Sequence, residues 1–298
     1  MIHFFLFFDK SSVSCYDDSV TSVLRLAKRG TGQSAMPTAV YRLAEKNIAV
    51  TSVHPAVQEY CRDYRTEAVP DFSVITTEAD IASEREKSAR EDQAEGHAVR
   101  PFSDGYLEIL AVYRKIAERM PDFDTLLFHG SAVAVDGAAY LFAAVSGTGK
   151  STHTRLWRKM LGARAVMIND DKPLMRIGAD GSAIVFGTPW NGKHRLSSNI
   201  GVPLRALCLL ERAAENSIRE ITRAEALPML VQQTYRPADP AALAKTLTLI
   251  TRLNVKFYRL CCNMEPQAAE LSYRAMSQND MEKAGGRSHH TMSQDKEV

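Results

Sequence analysis

The chain lacks any long apolar run. No stretch of its 298 residues approaches the ~20 consecutive apolar residues that a membrane-spanning helix needs, so no membrane partner is expected. The opening Ile2-His3-Phe4-Phe5-Leu6-Phe7-Phe8 is too short, and it lacks the basic flank and small-residue cleavage site of a secretory signal. An excess of one charge is missing too. Lys and Arg number 37 against 35 Asp and Glu, a formal net charge of +2, and nothing in that balance calls for nucleic acid or an anionic lipid surface. Cysteine is sparse and unpatterned: Cys15, Cys61, Cys208, Cys261 and Cys262 are odd in number and show no metal-ligand spacing. They read as reduced thiols of a cytoplasmic protein, filling the role of small apolar residues. Internal repeats are absent as well. What is present, 45% apolar and 24% charged residues, is ordinary for a folded chain, and the length allows one large domain or two smaller ones.

The stretch that organises the rest is Ala144-Val145-Ser146-Gly147-Thr148-Gly149-Lys150-Ser151-Thr152. It fits the phosphate-loop pattern G-x-x-x-x-G-K-[ST], with Ala144 in place of the first glycine. The apolar run 138–143 before it suits a buried strand, and 152–161 after it has helix-like composition. Gly147 and Gly149 permit backbone angles that let successive N–H groups turn toward one anion. The helix that follows aims its positive end at the same place. Lys150 would add a full charge for the outer phosphates, and the Ser151 hydroxyl could ligate Mg²⁺. Ser146, Gly147, Thr148, Gly149, Lys150, Ser151 and Thr152 are therefore the candidate nucleotide-binding residues.

Along the chain, residues 1–35 show no clear periodicity and are expected to be disordered or an artefactual leader, with Met36 the natural start. Residues 36–100 read as a small mixed α/β region: strands at 39–43, 47–52 and 72–76, a helix at 54–63 with Pro55 in its first turn, and a charged, solvated helix at 77–95. Residues 101–276 are expected to form the catalytic domain. Ser103 or Asp104 can cap a helix at 106–120 whose apolar positions share one face. Two hairpins follow, 132–135 with 138–145 around Asp136-Gly137, and 174–177 with 183–186 around 178–181. Further strands are expected at 165–168, 206–210 and 255–261, and helices at 222–233, 241–253 and 267–276. The tail to residue 298 is polar and expected to be disordered. The fold class is thus α/β with α+β character: a mixed sheet with antiparallel hairpins around the phosphate loop. An ordinary doubly wound domain would place that loop after the first strand of a parallel series instead.

Phosphoryl transfer needs a cradle, a metal, a base and positive charge. Asp170 and Asp171 end a buried strand, where one carboxylate could serve metal and the other accept a hydroxyl proton. Asn-Asp-Asp is also good turn chemistry. His129 is a candidate proton shuttle or metal neighbour. Lys193, His194 and Arg195, in the loop Gly187-Thr188-Pro189-Trp190-Asn191-Gly192-Lys193-His194-Arg195, could contact phosphate or substrate, or simply be an exposed basic loop. Trp190 is expected to pack in the core. His153 and Arg155 could face the nucleotide or lie on a helix surface.

Together, His129-Gly130 before a hairpin, Ser146 to Ser151, and Asp170-Asp171 after the next strand resemble the HPr kinase/phosphorylase family, whose catalytic domain is similar to that of ATP-dependent phosphoenolpyruvate carboxykinase. The resemblance spans residues 126–212. It implies a phosphoenolpyruvate-carboxykinase-like fold, ATP and Mg²⁺ as cofactors, and a serine hydroxyl in a protein, peptide or the free amino acid as acceptor. It further implies His129 at the active site, Asp170 as catalytic acid/base, and Asp171 and Ser151 serving the metal. Lys193 or Arg195 would offset developing charge. The alternative is a nucleotide-binding regulatory or scaffolding module without transfer activity, motivated by the 187–195 loop, which lacks the family's glutamate signature. A carboxykinase-like enzyme acting on a small acid is a third reading. A homo-oligomer is compatible with all three.

Overall fold

The computed structural model describes residues 36–94 and 96–277. The expected leader and the polar tail beyond Ser277 lie outside them. Strands β1 (Thr38–Leu43) and β2 (Lys46–Thr51) form a hairpin whose turn residues, Ala44 and Glu45, both take positive φ. After a short helix, α1 (Ala56–Tyr60), come β3 (Arg65–Thr66) and β4 (Phe72–Ile75), completing a sheet ordered β3-β1-β2-β4.

Two helices follow, α2 (Glu78–Ala94) and α3 (Asp104–Arg119), and they pack on each other. The Ser103 side chain accepts the Tyr106 amide, capping α3. Its apolar face, with Ile109, Val112, Tyr113 and Ile116, shares one core with Tyr41, Leu43, Ile48 and Val50 of the first sheet. From the same helix, the fully buried Glu108 accepts the Val53 amide at 2.6 Å, the His54 amide at 2.7 Å and the Thr76 hydroxyl. One carboxylate thus ties together the ends of two strands.

The α2 helix corrects a sequence expectation. Its charges are not all a solvated face: Ile81, Glu84, Ser88 and Asp92 are buried along one stripe. Glu84 meets Arg114 of α3 at 2.9 Å and Asp92 meets Arg100 at 2.8 Å. A carboxylate can be buried when a guanidinium neutralises it, and helical periodicity alone does not show that partner.

The remaining chain runs β5 (Thr125–Leu127), β6 (Ser131–Val135), β7 (Ala138–Ala143), α4 (Lys150–Leu161), β8 (Ala165–Asn169), β9 (Leu174–Ile177), β10 (Ala183–Phe186), β11 (Gly201–Arg212), β12 (Ser217–Ile221), α5 (Arg223–Gln233), α6 (Pro240–Arg252), β13 (Lys256–Cys262) and α7 (Pro266–Ser277). Both anticipated hairpins are present, β6–β7 and β9–β10. The long β11 joins them. It pairs antiparallel with β10 near its start and parallel with β7 and β13 further on. The result is the mixed α/β architecture with a mixed sheet, ordered β5-β9-β10-β11-β7-β6-β8, with β12 and β13 beyond. No helix among the described residues is long and apolar enough to cross a membrane.

Helix α4 packs on β6, β7 and β8 and against α7, which itself rests on β12 and β13. Its inner face sets Trp157 against Tyr140, Phe142 and Tyr273. Ser272 of α7 takes the Trp157 indole N–H at 2.9 Å and lies 2.9 Å from His153 Nε2. The Ser272 hydroxyl also lies 3.1 Å from the Ala269 carbonyl. Burial lowers the His153 pKa to about 4 from the ordinary 6.5.

Two stability predictions follow from these contacts. Glu108→Ala leaves two backbone amides without their acceptor and should cost roughly 3 kcal/mol, read as a lower urea midpoint at unchanged slope. The unfolded chain takes up the His153 proton near pH 6.5, whereas the folded chain resists until about pH 4. Stability should therefore fall as pH drops through that window, by roughly 3 kcal/mol. Urea titrations at stepped pH should show this component missing in His153→Gln; an unchanged acid limb in that variant would refute it.

Candidate functional site

Strand β7 ends in the fully buried Ala143, and the chain then leaves the sheet at the equally buried Ala144. Gly147 has φ +74° and Gly149 φ +118°, a region that side chains rarely adopt, although space around both is open. The glycines are required by backbone geometry rather than by crowding. Gly149 is the N-cap of α4 and supplies no side-chain acceptor. Lys150 folds back, its ammonium 3.1 Å from the Ala144 carbonyl. Arg212, the last residue of β11, donates to the carbonyls of Gly147 and Thr148. Sequence reasoning missed Arg212. Its signal was its place at the end of a long apolar strand, but knowing that this strand lies beside β7 requires the sheet.

Strand β8 runs antiparallel to β6 and delivers the two acids to the same end of the sheet. They sit in unequal surroundings. Asp170 is buried and accepts the Ser131 hydroxyl at 2.6 Å; Ser131 in turn lies 2.9 Å from the Thr154 hydroxyl of α4. Burial raises the Asp170 pKa and the neighbouring Asp171 charge adds to it, while hydrogen bonds from Ser131 and Ser151 and the proximity of His194 oppose. Asp171 is instead held by charge. Lys172 Nζ lies 2.5 Å from one of its oxygens, and His129 Nε2 3.5 Å from the other. The same ammonium stands 5.8 Å from the centre of the Tyr113 ring. Burial works to lower the Lys172 pKa, but the adjacent Asp171 and Tyr113 outweigh it and the net shift is upward.

The loop after β10 closes over these acids. Gly192 takes φ +70°, and a Cβ there would sit 3.2 Å from that of Asp171. Trp190 is buried in the core, as expected, and donates its indole N–H to the Ile109 carbonyl at 3.2 Å.

A cavity of about 340 Å³ lies between the loop, the acids and this segment. Of the residues singled out in the sequence, it is lined by Gly147, Gly149, Lys150, Ser151 and Thr152 on one side. Arg155 is on the same helix as Lys150, and His129, Asp170, Asp171 and Lys193 line the other side with His194. Ser146, Thr148 and Arg195 are not on its wall. Arg195 takes φ +50° and places its guanidinium 5.5 Å from the centre of the Tyr60 ring. Thr154, Arg158 and Gly192 also line the cavity and were not foreseen as site residues.

Among the described residues, no group of three or more His, Cys, Asp or Glu could hold a metal ion. The hydroxyl of Ser151 and the carboxylate of Asp171 give the cavity wall an oxygen donor pair. It suits Mg²⁺, which keeps several waters and needs only one or two protein ligands when phosphates supply the rest.

No protein-family model matches the sequence, and no curated protein matches it. Among solved structures, the Hpr(Ser) kinase/phosphatase from Coxiella burnetii is similar at 12% identity and a TM-score of 0.30, over 54% of this chain and 99% of that one. A likeness this distant carries no argument about chemistry.

Proposed function

We propose that the chain is an ATP- and Mg²⁺-dependent phosphotransferase that moves the γ-phosphoryl group to a hydroxyl. The observation that carries this reading is the meeting of Lys150, Ser151 and Asp170 on the wall of one cavity. The amides of the Gly147–Gly149 bend and the start of α4 would hold the outer phosphates, with Lys150 leaving the Ala144 carbonyl to join them. Bound Mg²⁺ would neutralise phosphate charge beside Ser151. Asp170 would accept the acceptor's hydroxyl proton as the new O–P bond forms and the bond to the β-phosphate breaks, releasing ADP. Lys193 is the basic-loop residue at the cavity and would offset charge in the transition state; Arg195, over Tyr60, is the weaker candidate of the two. A serine hydroxyl, in a protein, a peptide or the free amino acid, is the acceptor that the sequence resemblance suggests. Neither nucleic acid nor a lipid surface is needed. Free Cys61, Cys208, Cys261 and Cys262 fit a reducing cytoplasmic setting.

A second reading, a nucleotide-binding module without transfer, is favoured by one observation. The Lys172 ammonium lies 2.5 Å from Asp171 and offsets the charge with which that acid would hold a metal for transfer.

Incubation with γ-labelled ATP and a cell extract separates the two. The expected result is label on an acceptor. Asp170→Asn should lower that transfer by about 10²–10⁴-fold, as loss of a general base does. Calorimetry should find its Mg-ATP affinity within about threefold of the parent, since the loop and Lys150 are untouched. Full transfer by Asp170→Asn would rule out the assignment, and tight binding by the parent without transfer would favour the module.

A further inference from the structure

Helix α4 carries more than the start of the candidate site. Ser151, Thr154, Arg155 and Arg158 follow the i, i+3, i+4, i+7 spacing of one helical face, and all four line the cavity. The stripe begins at the acid: Ser151 lines the cavity with Asp170, and Thr154 reaches Asp170 through Ser131. It then continues away from the glycine bend. With a rise of about 1.5 Å per residue, Arg155 lies roughly 7 Å and Arg158 roughly 12 Å along the axis from Lys150.

Neither guanidinium has a hydrogen-bond or ion-pair partner among the described residues. Arg155 is exposed and Arg158 half-buried. Elsewhere guanidinium groups are mostly engaged, as Arg114 is with Glu84, Arg164 with Asp136 and Arg176 with Glu45. Lys193 faces the same cavity from the opposing loop, also without an acidic partner among the described residues. Asp170 and Asp171 line the same cavity, but cations that pair with no carboxylate among the described residues are arranged for a ligand's negative charge. The planar fork of arginine suits carboxylate or phosphate in particular.

We infer that Arg155 and Arg158 form an anion subsite separate from the glycine bend, and that the phosphoryl acceptor carries a carboxylate or phosphate group that binds there. This rests on the phosphotransferase reading. With the donor at the amino end of α4 and the acceptor hydroxyl at Asp170, the next positions on the same face are those of the two arginines. An acceptor laid along this face reaches them with its far end. The arginines thereby select acidic acceptors over neutral alcohols, and they act on acceptor binding rather than on the donor.

Three probes on one carbon skeleton test this: glycerol, glycerate and glycerol 3-phosphate, titrated into the full chain preloaded with Mg²⁺ and a non-hydrolysable ATP analogue. Binding is read by calorimetry and by ligand-observed NMR. Glycerate or glycerol 3-phosphate should bind at least about tenfold more tightly than glycerol, and the stronger of the two identifies the anion. Arg155→Ala with Arg158→Ala should abolish that preference while leaving analogue affinity within about threefold and the melting temperature unchanged. Equal binding of all three probes, or no binding of any, overturns the subsite. Loss of analogue affinity in the double variant assigns the arginines to the nucleotide and also overturns it. Failure of the parent protein to bind the analogue at all is a different result, because it removes the phosphotransferase reading itself.

Discussion

The candidate site depends on one buried amide. Asn169, the last residue of β8, accepts the backbone N–H of Asp171 at 2.9 Å and of Lys172 at 2.7 Å through its side-chain oxygen. Its side-chain nitrogen donates to both the carbonyl and the hydroxyl of Thr188 at 3.0 Å. The oxygen sets the turn that carries the acids, and the nitrogen anchors the following loop to that turn. Backbone bonds finish the registration: Asp170 N–H to the Leu196 carbonyl and Lys172 N–H to the Trp190 carbonyl. A buried amide that satisfies donor and acceptor together fixes one geometry, because any alternative strands a polar group away from water. The first sheet region reinforces the same loop from outside, through Tyr64 on Ser197 and the Asp63 carbonyl on Asn199.

With the turn fixed, two adjacent acids acquire different characters from their neighbours alone. Asp170 has hydroxyls around it and burial that favours its neutral form. Asp171 has an ammonium on one oxygen and an imidazole near the other. The Lys172 ammonium is itself placed beside the Tyr113 ring of α3, and Arg114 stands 5.2 Å from that ring's centre while pairing with Glu84. The charges therefore run without a break from the polar stripe of α2 to the wall of the cavity. Such a chain of pairs does not by itself add stability, since burying ions costs about what their attraction returns. What it supplies is position.

Much of this was legible in the sequence where the signal is local. The glycines and lysine of 147–150, the Asp136-Gly137 turn and the Asn-Asp-Asp turn each encode their own backbone, and the structure contains the corresponding bend and hairpins. Features that depend on a distant partner were not legible. Lys193 and Arg195 look equivalent in a polar loop, yet the left-handed conformation at Arg195 and the Tyr60 ring turn one aside while the other lines the cavity. The buried stripe of α2 reads as solvated until Arg114 is opposite it. Strand β12 gives almost no apolar pattern, because it is an edge paired only to β13 and largely exposed. Cys208 shows the opposite case, an apolar run whose central residue is buried as expected.

The departure at Ala144 shows that the glycines of the loop pattern answer different needs. Ala144 is not among the described residues with positive φ, so its backbone is within reach of any amino acid. Its methyl group is buried in the cluster of Phe142, Trp157 and Ala269, where a glycine would leave a gap. Its carbonyl, which every residue has, is what Lys150 uses. An alanine at this position therefore loses nothing that the bend requires and gains packing against α4. At Gly147 and Gly149 the reverse holds: there is room for a side chain but the dihedral angles exclude one. The two glycines that the backbone demands are the two that the sequence keeps.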